Sequence, residues 1–261
     1  MRSVVILGAG NVAFHLTRAL LQNTVNVRQI FNRTLSRAEE LGEANNIGFT
    51  NKISELEKAD LYIIAASDSA VEELSHYIPF DDCLVVHTSG SLNTDVLKGD
   101  YRKGVFYPLQ TFTKRKNLRY EEIPFFVEAE NKEDEDALYA LADKVSNEVH
   151  RVDSHKRQKI HMSAVWVGNF VNHLYYIGNK FCEENEVPFD VLRPLIEETS
   201  RKVQDMNPYE AQTGPARRND EIIIEKHLEV IEDSRLKQLY QLLTDSIQRT
   251  YYHDQLQAKA K

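Results

Sequence analysis

The stretch VVILGAGNVAFHLTRAL, residues 4–20, decides how the rest of the chain is read. It opens with four apolar residues, the composition of a strand buried on both faces. Gly8-Ala9-Gly10-Asn11-Val12-Ala13 then makes a G-x-G-x-x-A turn, and apolar residues at helical spacing follow over 11–22. Gly8 allows a tight turn, Gly10 leaves room for a pyrophosphate to reach the backbone, and Ala13 lets the helix pack closely on the strand. The helix N-terminus offers unpaired N–H groups and the positive end of its dipole. Strand, turn and helix in this order imply a dinucleotide site, with Gly8, Ala9, Gly10, Asn11 and Val12 against the phosphates.

Working outward, a second strand VRQIF (27–31) leads into Asn32-Arg33-Thr34 and then Arg37. An NAD-type site places a carboxylate about 20 residues past the glycines, on the ribose 2′-hydroxyl. None occurs there before Glu39. Two guanidinium groups suit a 2′-phosphate, which they can meet bidentately, and the hydroxyls of Thr34 and Ser36 can add donors or cap the next helix. The spacing therefore favours NADP(H). The alternative is that Arg33 and Arg37 are solvated helix residues paired with Glu40 or Glu43.

Further strands are expected at 61–65, 83–87, 104–107, 124–129 and 148–152, with helices at 36–45, 69–77 and 133–146 between them. Alternation of this kind predicts a doubly wound, mostly parallel α/β sheet of Rossmann type over residues 1–152. From 153 to 261 the chain reads as all-helical: 155–184, 188–205 and 221–256, the last broken near Asp233. The net charge of −8 argues against nucleic acid or an anionic membrane as partner. Cys83 and Cys182 lie far apart without metal-ligand spacing, so no metal is expected. No apolar run reaches the roughly 18 residues of a membrane span, and a cytoplasmic protein is expected.

Ligands of such sheets gather at the carboxyl ends of the strands. Ala66, Ser67 and Asp68 follow the strand at 61–65, and Thr88, Ser89 and Gly90 follow the strand at 83–87, ending in His87. These are candidates for the nicotinamide half, although Asp68 also suits a helix cap. Tyr107 and Gln110 leave the strand at 104–107 and are candidates for substrate. On the helix 155–184, Asn169 and His173 fall near the centre of the apolar stripe Met162, Val165, Trp166, Phe170, Leu174, Ile177 and Phe181, with His161 on its edge. They are either interior or interface residues or catalytic groups. The loop at 213–220 presents Arg217 and Arg218, donors for an anionic substrate group, or else forms a solvated turn.

Assembled, these residues resemble a bacterial family of NADP oxidoreductases that join an N-terminal Rossmann-like domain to a C-terminal helical domain of unknown function. The resemblance spans essentially the whole chain. It is carried by ILGAGNVA (6–13), HTSGS (87–91), VFYPLQTF (105–112), the helix containing Asn169, and TGPARRND (213–220). The family usually has Arg-Gly-Asp where this chain has Arg218-Asn219-Asp220. More distantly, the chain is similar to pyrroline-5-carboxylate reductases, deazaflavin-dependent NADP oxidoreductases and β-hydroxyacid dehydrogenases. That similarity implies hydride transfer at the interdomain cleft and a homodimer formed through the C-terminal helices. Dehydrogenases of the β-hydroxyacid type use a lysine and an asparagine on the interdomain helix. Asn169 matches the asparagine, but Val165 stands where the lysine would be.

The expectation is an NADP(H)-dependent oxidoreductase acting on a small anionic carbonyl, imine or hydroxyl compound. The missing lysine also admits a non-catalytic NADP-binding sensor or partner-binding protein, and the turn alone admits another nucleotide.

Overall fold

Val4, Val5, Ile6 and Leu7 are all fully buried, because the strand they form lies in the middle of a sheet covered on both faces. The computed structural model describes residues 3–259, with side chains from Ser3 through Tyr251. Its sheet has eight strands: β1 (Val4–Leu7), β2 (Val27–Phe31), β3 (Gly48–Thr50), β4 (Leu61–Ile64), β5 (Leu84–His87), β6 (Arg102–Pro108), β7 (Phe125–Ala129) and β8 (Val149–Arg151). Their order is β3-β2-β1-β4-β5-β6-β7-β8. All pairings are parallel except β6 with β7. Alternate residues of β1 feed two cores, Val4 and Ile6 on one face and Val5 and Leu7 on the other. This is the doubly wound α/β sheet expected from the sequence.

Helices α1 (Asn11–Gln22), α2 (Leu35–Glu43), α3 (Asp68–Ser75) and α4 (Lys132–Asp143) connect the strands. The chain order reverses direction between β1 and β4, and the crevice at that switch point is where such sheets hold ligands. Two features depart from the sequence reading. The strand β3 was not anticipated, because GFT is three residues long with no apolar run. The antiparallel β7 follows a connection too irregular to signal its direction.

The last strand, expected over 148–152, ends at Arg151, and helices follow. The helix expected over 155–184 begins as α5 (Ser154–Ala164), widens into a π-helical segment (Val165–Phe170), and resumes as α6 (Val171–Glu184). The segment expected over 188–205 enters through a short 3-10 turn, Phe189–Leu192, and becomes α7 (Arg193–Asp205), with proline in its first turn. Then come α8 (Pro208–Ala211), α9 (Pro215–Arg218), α10 (Glu221–Val230) and α11 (Ser234–Lys259). The break between α10 and α11 falls where expected: an Asp233 carboxylate oxygen accepts from the N–H groups of Arg235 (2.8 Å) and Leu236 (3.1 Å) and caps α11.

The chain divides into two compact units within the long helix, the first ending at Tyr175 and the second starting at Tyr176. In the second, Ala216, Ile224, Ile231 and Tyr251 are buried, and Tyr209 stacks on Tyr251 with centroids 4.6 Å apart. Asn219 takes a left-handed conformation (φ 54°, ψ 44°) at the end of α9. Asparagine tolerates this region better than other residues with a Cβ, which is how it serves where a glycine would otherwise stand. Its carboxamide also bonds to Gln248 at 2.6 Å.

Candidate active site

The glycine turn is built between strand ends. The Gly8 N–H donates to Phe31 O (2.7 Å) and Ala65 N–H donates to Leu7 O (2.8 Å), closing the exits of β2, β1 and β4 against one another. Gly8 has φ +131°, and a Cβ there would lie 2.1 Å from Ala65 O. Gly10 has an ordinary φ of −79°, and a Cβ there would meet no atom within 4 Å. Gly10 heads α1 without a side-chain cap, and the first turn has no acidic residue, so its N–H groups face the open side of the turn.

That open side is a cleft of about 380 Å³, within the range of small-ligand sites. It is lined by Gly8, Ala9, Gly10, Asn11 and Val12, by Asn32, Arg33 and Arg37, and by Ala66 and Ser67, with Phe31, Ala65, Ala70 and Leu74 behind. The two arginines and the glycine turn therefore share one cavity, and none of its lining residues is acidic. Among the described residues, Arg33 makes only a long, exposed contact to Glu73 of α3, at 3.7 Å. Neither arginine pairs with Glu40 or Glu43; Glu40 instead meets Lys114 at 3.4 Å. Thr34 holds the N-cap position of α2, but its hydroxyl makes no capping bond, and Asn32 Nδ2 donates to Thr34 O (2.9 Å). Ser67 rather than Asp68 caps α3, also without a side-chain bond; Asp68 lies in the first turn.

Beyond the switch point, the loop after β5 satisfies itself. His87 Nδ1 accepts from Ser89 N–H (3.2 Å), which leaves the proton on Nε2, facing Asn93 O at 3.2 Å. Burial, helped by the Arg157 cation and opposed by the Asn93 carbonyl, pushes the His87 pKa down to about 4. Its imidazole is thus neutral and structural. Ser89 Oγ accepts from the N–H groups of Ser91 (3.0 Å) and Leu92 (3.1 Å), and Thr88 N–H donates to Ile64 O (3.2 Å).

Helix α5 lies across this loop. Arg157 is completely buried, its guanidinium bonded to Glu128 of β7, to Leu92 O and to Ser154, while its Nε has no partner among the described residues. Gln158 donates to Ser91 O (2.8 Å) and Asn93 Oδ1 (2.9 Å). One turn on, the His161 ring covers Gly90 so closely that a Cβ there would fall 2.5 Å from its Cγ and Nδ1. The Tyr107 hydroxyl, at the end of β6, lies 2.8 Å from His161 Nδ1. Burial raises the Tyr107 pKa to about 12.

Of the other candidates, Gln110 folds onto its own chain, its Oε1 accepting from Thr111 N–H (2.8 Å). Asn169 and His173 are exposed, on the π segment and on α6 respectively. Arg217 is engaged by its own loop, donating to Glu210 O (3.1 Å) and to Gln212 O and lying 5.1 Å from the Tyr251 ring centroid. Arg218 sits beside it in the last turn of α9. Sequence reasoning missed Arg157 altogether, since it sits in the polar run SHKRQK, and it placed His161 below Asn169 by assuming a uniform helix.

Residues 1–78 match the model of the shikimate/quinate 5-dehydrogenase family, and residues 123–247 match a domain of unknown function, DUF2520. No curated protein matches the chain. A solved structure described as a putative NADP oxidoreductase from Bacteroides fragilis is 40% identical, with a TM-score of 0.90, over 95% of this chain and 98% of that one. A Thermotoga maritima protein is 18% identical with a TM-score of 0.73, covering 97% of this chain and 99% of its own. The pyrroline-5-carboxylate reductase of Coxiella burnetii shares the fold, at 15% identity and a TM-score of 0.55 over 96% and 97% of the two chains. With that identity to the Bacteroides fragilis protein over nearly its whole length, the chain belongs to the same oxidoreductase family.

Proposed function

We propose that this chain binds NADP(H) in the cleft at the ends of β1, β2 and β4 and moves a hydride to or from a small anionic carbonyl, imine or hydroxyl compound. The observation that carries the reading is the cleft's composition. It combines a glycine whose missing side chain no protein atom requires with two arginines that no carboxylate in the cleft neutralises. The first-turn N–H groups at Asn11 and Val12 would receive the pyrophosphate, and Arg33 and Arg37 the 2′-phosphate. Ala66 to Asp68 and Thr88 to Gly90 stand at the strand ends of the nicotinamide half. When bound, the cofactor supplies a hydride acceptor or donor at its nicotinamide; the protein's part is to orient, to exclude water and to manage a proton. Tyr107, Gln110, Asn169, His173, Arg217 and Arg218 are the groups proposed for substrate and its chemistry. The family likeness to NADP oxidoreductases supports this reading.

The same reading includes a homodimer through the C-terminal helices, supported by large apolar side chains left exposed on them, among them Trp166, Leu195 and Leu242.

Titration of NADPH and NADH against the wild-type protein and against Arg33→Asp tests the cofactor assignment. NADPH affinity should fall by about 10- to 100-fold, as expected for losing charge-assisted hydrogen bonds, while NADH affinity stays close to its starting value. Equal loss for both would return the arginines to the surface. A stopped-flow panel of small 2-oxo acids (glyoxylate among them), cyclic imines and hydroxy acids tests the chemistry. NADPH that binds tightly yet is oxidised by none of them would defeat the hydride-transfer reading.

A further inference from the structure

We infer that His161 exchanges the proton that accompanies hydride transfer, through its Nε2, while the Tyr107 hydroxyl holds the ring by Nδ1. The inference rests on the reading of the cleft as an NADP(H) site.

Among the described residues, His15, His87 and His161 stand at or near the ligand edge of the sheet, and their bonding separates them. His15 is buried, with Nδ1 3.1 Å from Tyr120 Oη and Nε2 2.8 Å from Thr113 O. His87 is buried with both nitrogens committed to its own loop. His161 is partly exposed, and only Nδ1 is committed, to Tyr107; among the described residues Nε2 has no hydrogen-bond partner. An imidazole fixed at one nitrogen and free at the other is the arrangement a proton-exchanging histidine needs.

Its position is set from several directions. The ring meets Tyr107 edge-to-face, with centroids 5.8 Å apart and planes at 76°. It fills the space above Gly90, in the loop that continues β5 on the nicotinamide side of the switch point. Arg157, one turn earlier on the same helix, and Gln158 bind that helix to the same loop. The charged groups acting on the Tyr107 hydroxyl are Arg157 from α5 and Asp68 from α3. With its pKa held near 12 by burial, Tyr107 keeps its proton and acts as a positioning residue.

In the reducing direction the carbon of a C=O or C=N group would accept the hydride that the cofactor would supply when bound. The π pair of that bond takes the Nε2 proton of the imidazolium and becomes the new O–H or N–H bond. His161 is left as neutral imidazole, its Nδ1–H donated to Tyr107 Oη, and Nε2 regains a proton from solvent. In the oxidising direction the neutral Nε2 removes the same proton.

The test follows the imidazole ¹⁵N signals of His161 in the full-length protein, assigned with His161→Gln. Saturation with NADP⁺ and with NADPH should place the Nε2 resonance at different positions at one pH, because only the oxidised nicotinamide carries a positive charge. The 2′,5′-ADP molecule, which has the adenosine half and no nicotinamide, should leave it where it is in the free protein. Tyr107→Phe should retain the redox-dependent displacement and lose the Nδ1 hydrogen-bond shift. On glyoxylate and the other panel compounds, His161→Gln should slow single-turnover NADPH oxidation by about 10²- to 10⁴-fold, the usual contribution of a positioned acid. A signal that ignores nicotinamide redox state, one moved equally by 2′,5′-ADP, or a His161→Gln rate equal to wild type would each overturn the assignment with the cofactor reading intact. Failure of NADPH to bind at all would remove both.

Discussion

A methyl group added at Gly8 would lie 2.1 Å from the Ala65 carbonyl oxygen, whereas at Gly10 it would meet no atom within 4 Å. The two glycines are thus separable by experiment. Gly8→Ala combines a backbone clash with a disfavoured φ and should cost more than about 3 kcal/mol, read as a large drop in melting temperature. Gly10→Ala should leave the melting temperature of the free protein within a few degrees and weaken NADPH by tenfold or more, about 1.4 kcal/mol, in a fluorescence titration. A stable Gly8→Ala protein, or a Gly10→Ala protein with unaltered affinity, would contradict the turn's division of labour. At this scale the glycine turn and the two arginines that share its cleft were legible, because a motif with fixed spacing names them directly. His161 was only half legible. Its angle on an ideal helix put it at the stripe's edge, whereas what matters is its distance from Tyr107 and Gly90, 54 and 71 residues away in sequence.

Helix α5 and the loop after β5, which carries His87, behave as one element, joined by Arg157, Gln158 and the His161 ring. Its pH response has a definite sign. His87 is held neutral down to about pH 4, while in the unfolded chain it takes a proton near its ordinary 6.5. Between those values the unfolded state binds one proton more than the native state, so stability rises with pH and is lost on acidification. Over the whole window the loss is on the order of 3 kcal/mol. Urea midpoints at pH 7, 5.5 and 4.5 should fall accordingly, and His87→Gln should flatten that part of the dependence. A wild-type slope unchanged by the substitution would assign acid sensitivity elsewhere. Strands and helices with strong periodicity were readable to within a few residues. The π segment was not, because its extra backbone residue leaves no mark in the pattern of apolar side chains, and β3 was too short to carry one.

For the whole molecule, the parallel core of the sheet and the all-helical remainder followed from the βαβ alternation and its cessation after Arg151. The direction of β7 and the point at which the compact units divide depend on tertiary packing that local sequence does not encode. Met162, Trp166, Phe170 and Leu174 recur every four residues, yet each is between 41% and 60% exposed. Such a stripe along one helix is an expected seat for a second copy of the chain. Trp166→Glu should therefore convert a dimer to a monomer in sedimentation velocity, and a wild-type chain that sediments as a monomer at micromolar concentration would refute the dimer. Tyr107 belongs to β6, flanked on both sides by other strands, and the helix bearing His161 is rooted by a wholly buried guanidinium. Arg33, by contrast, is two-thirds exposed and rests against Glu73 at a distance at which water and salt compete. In the proposed reading, cofactor preference rests on an exposed, loosely held arginine and proton handling on groups held by a central strand and a buried guanidinium. On that reading, descendants of this chain could exchange one dinucleotide for the other through a few surface substitutions, Glu73 among them, while the proton-handling groups stayed the same.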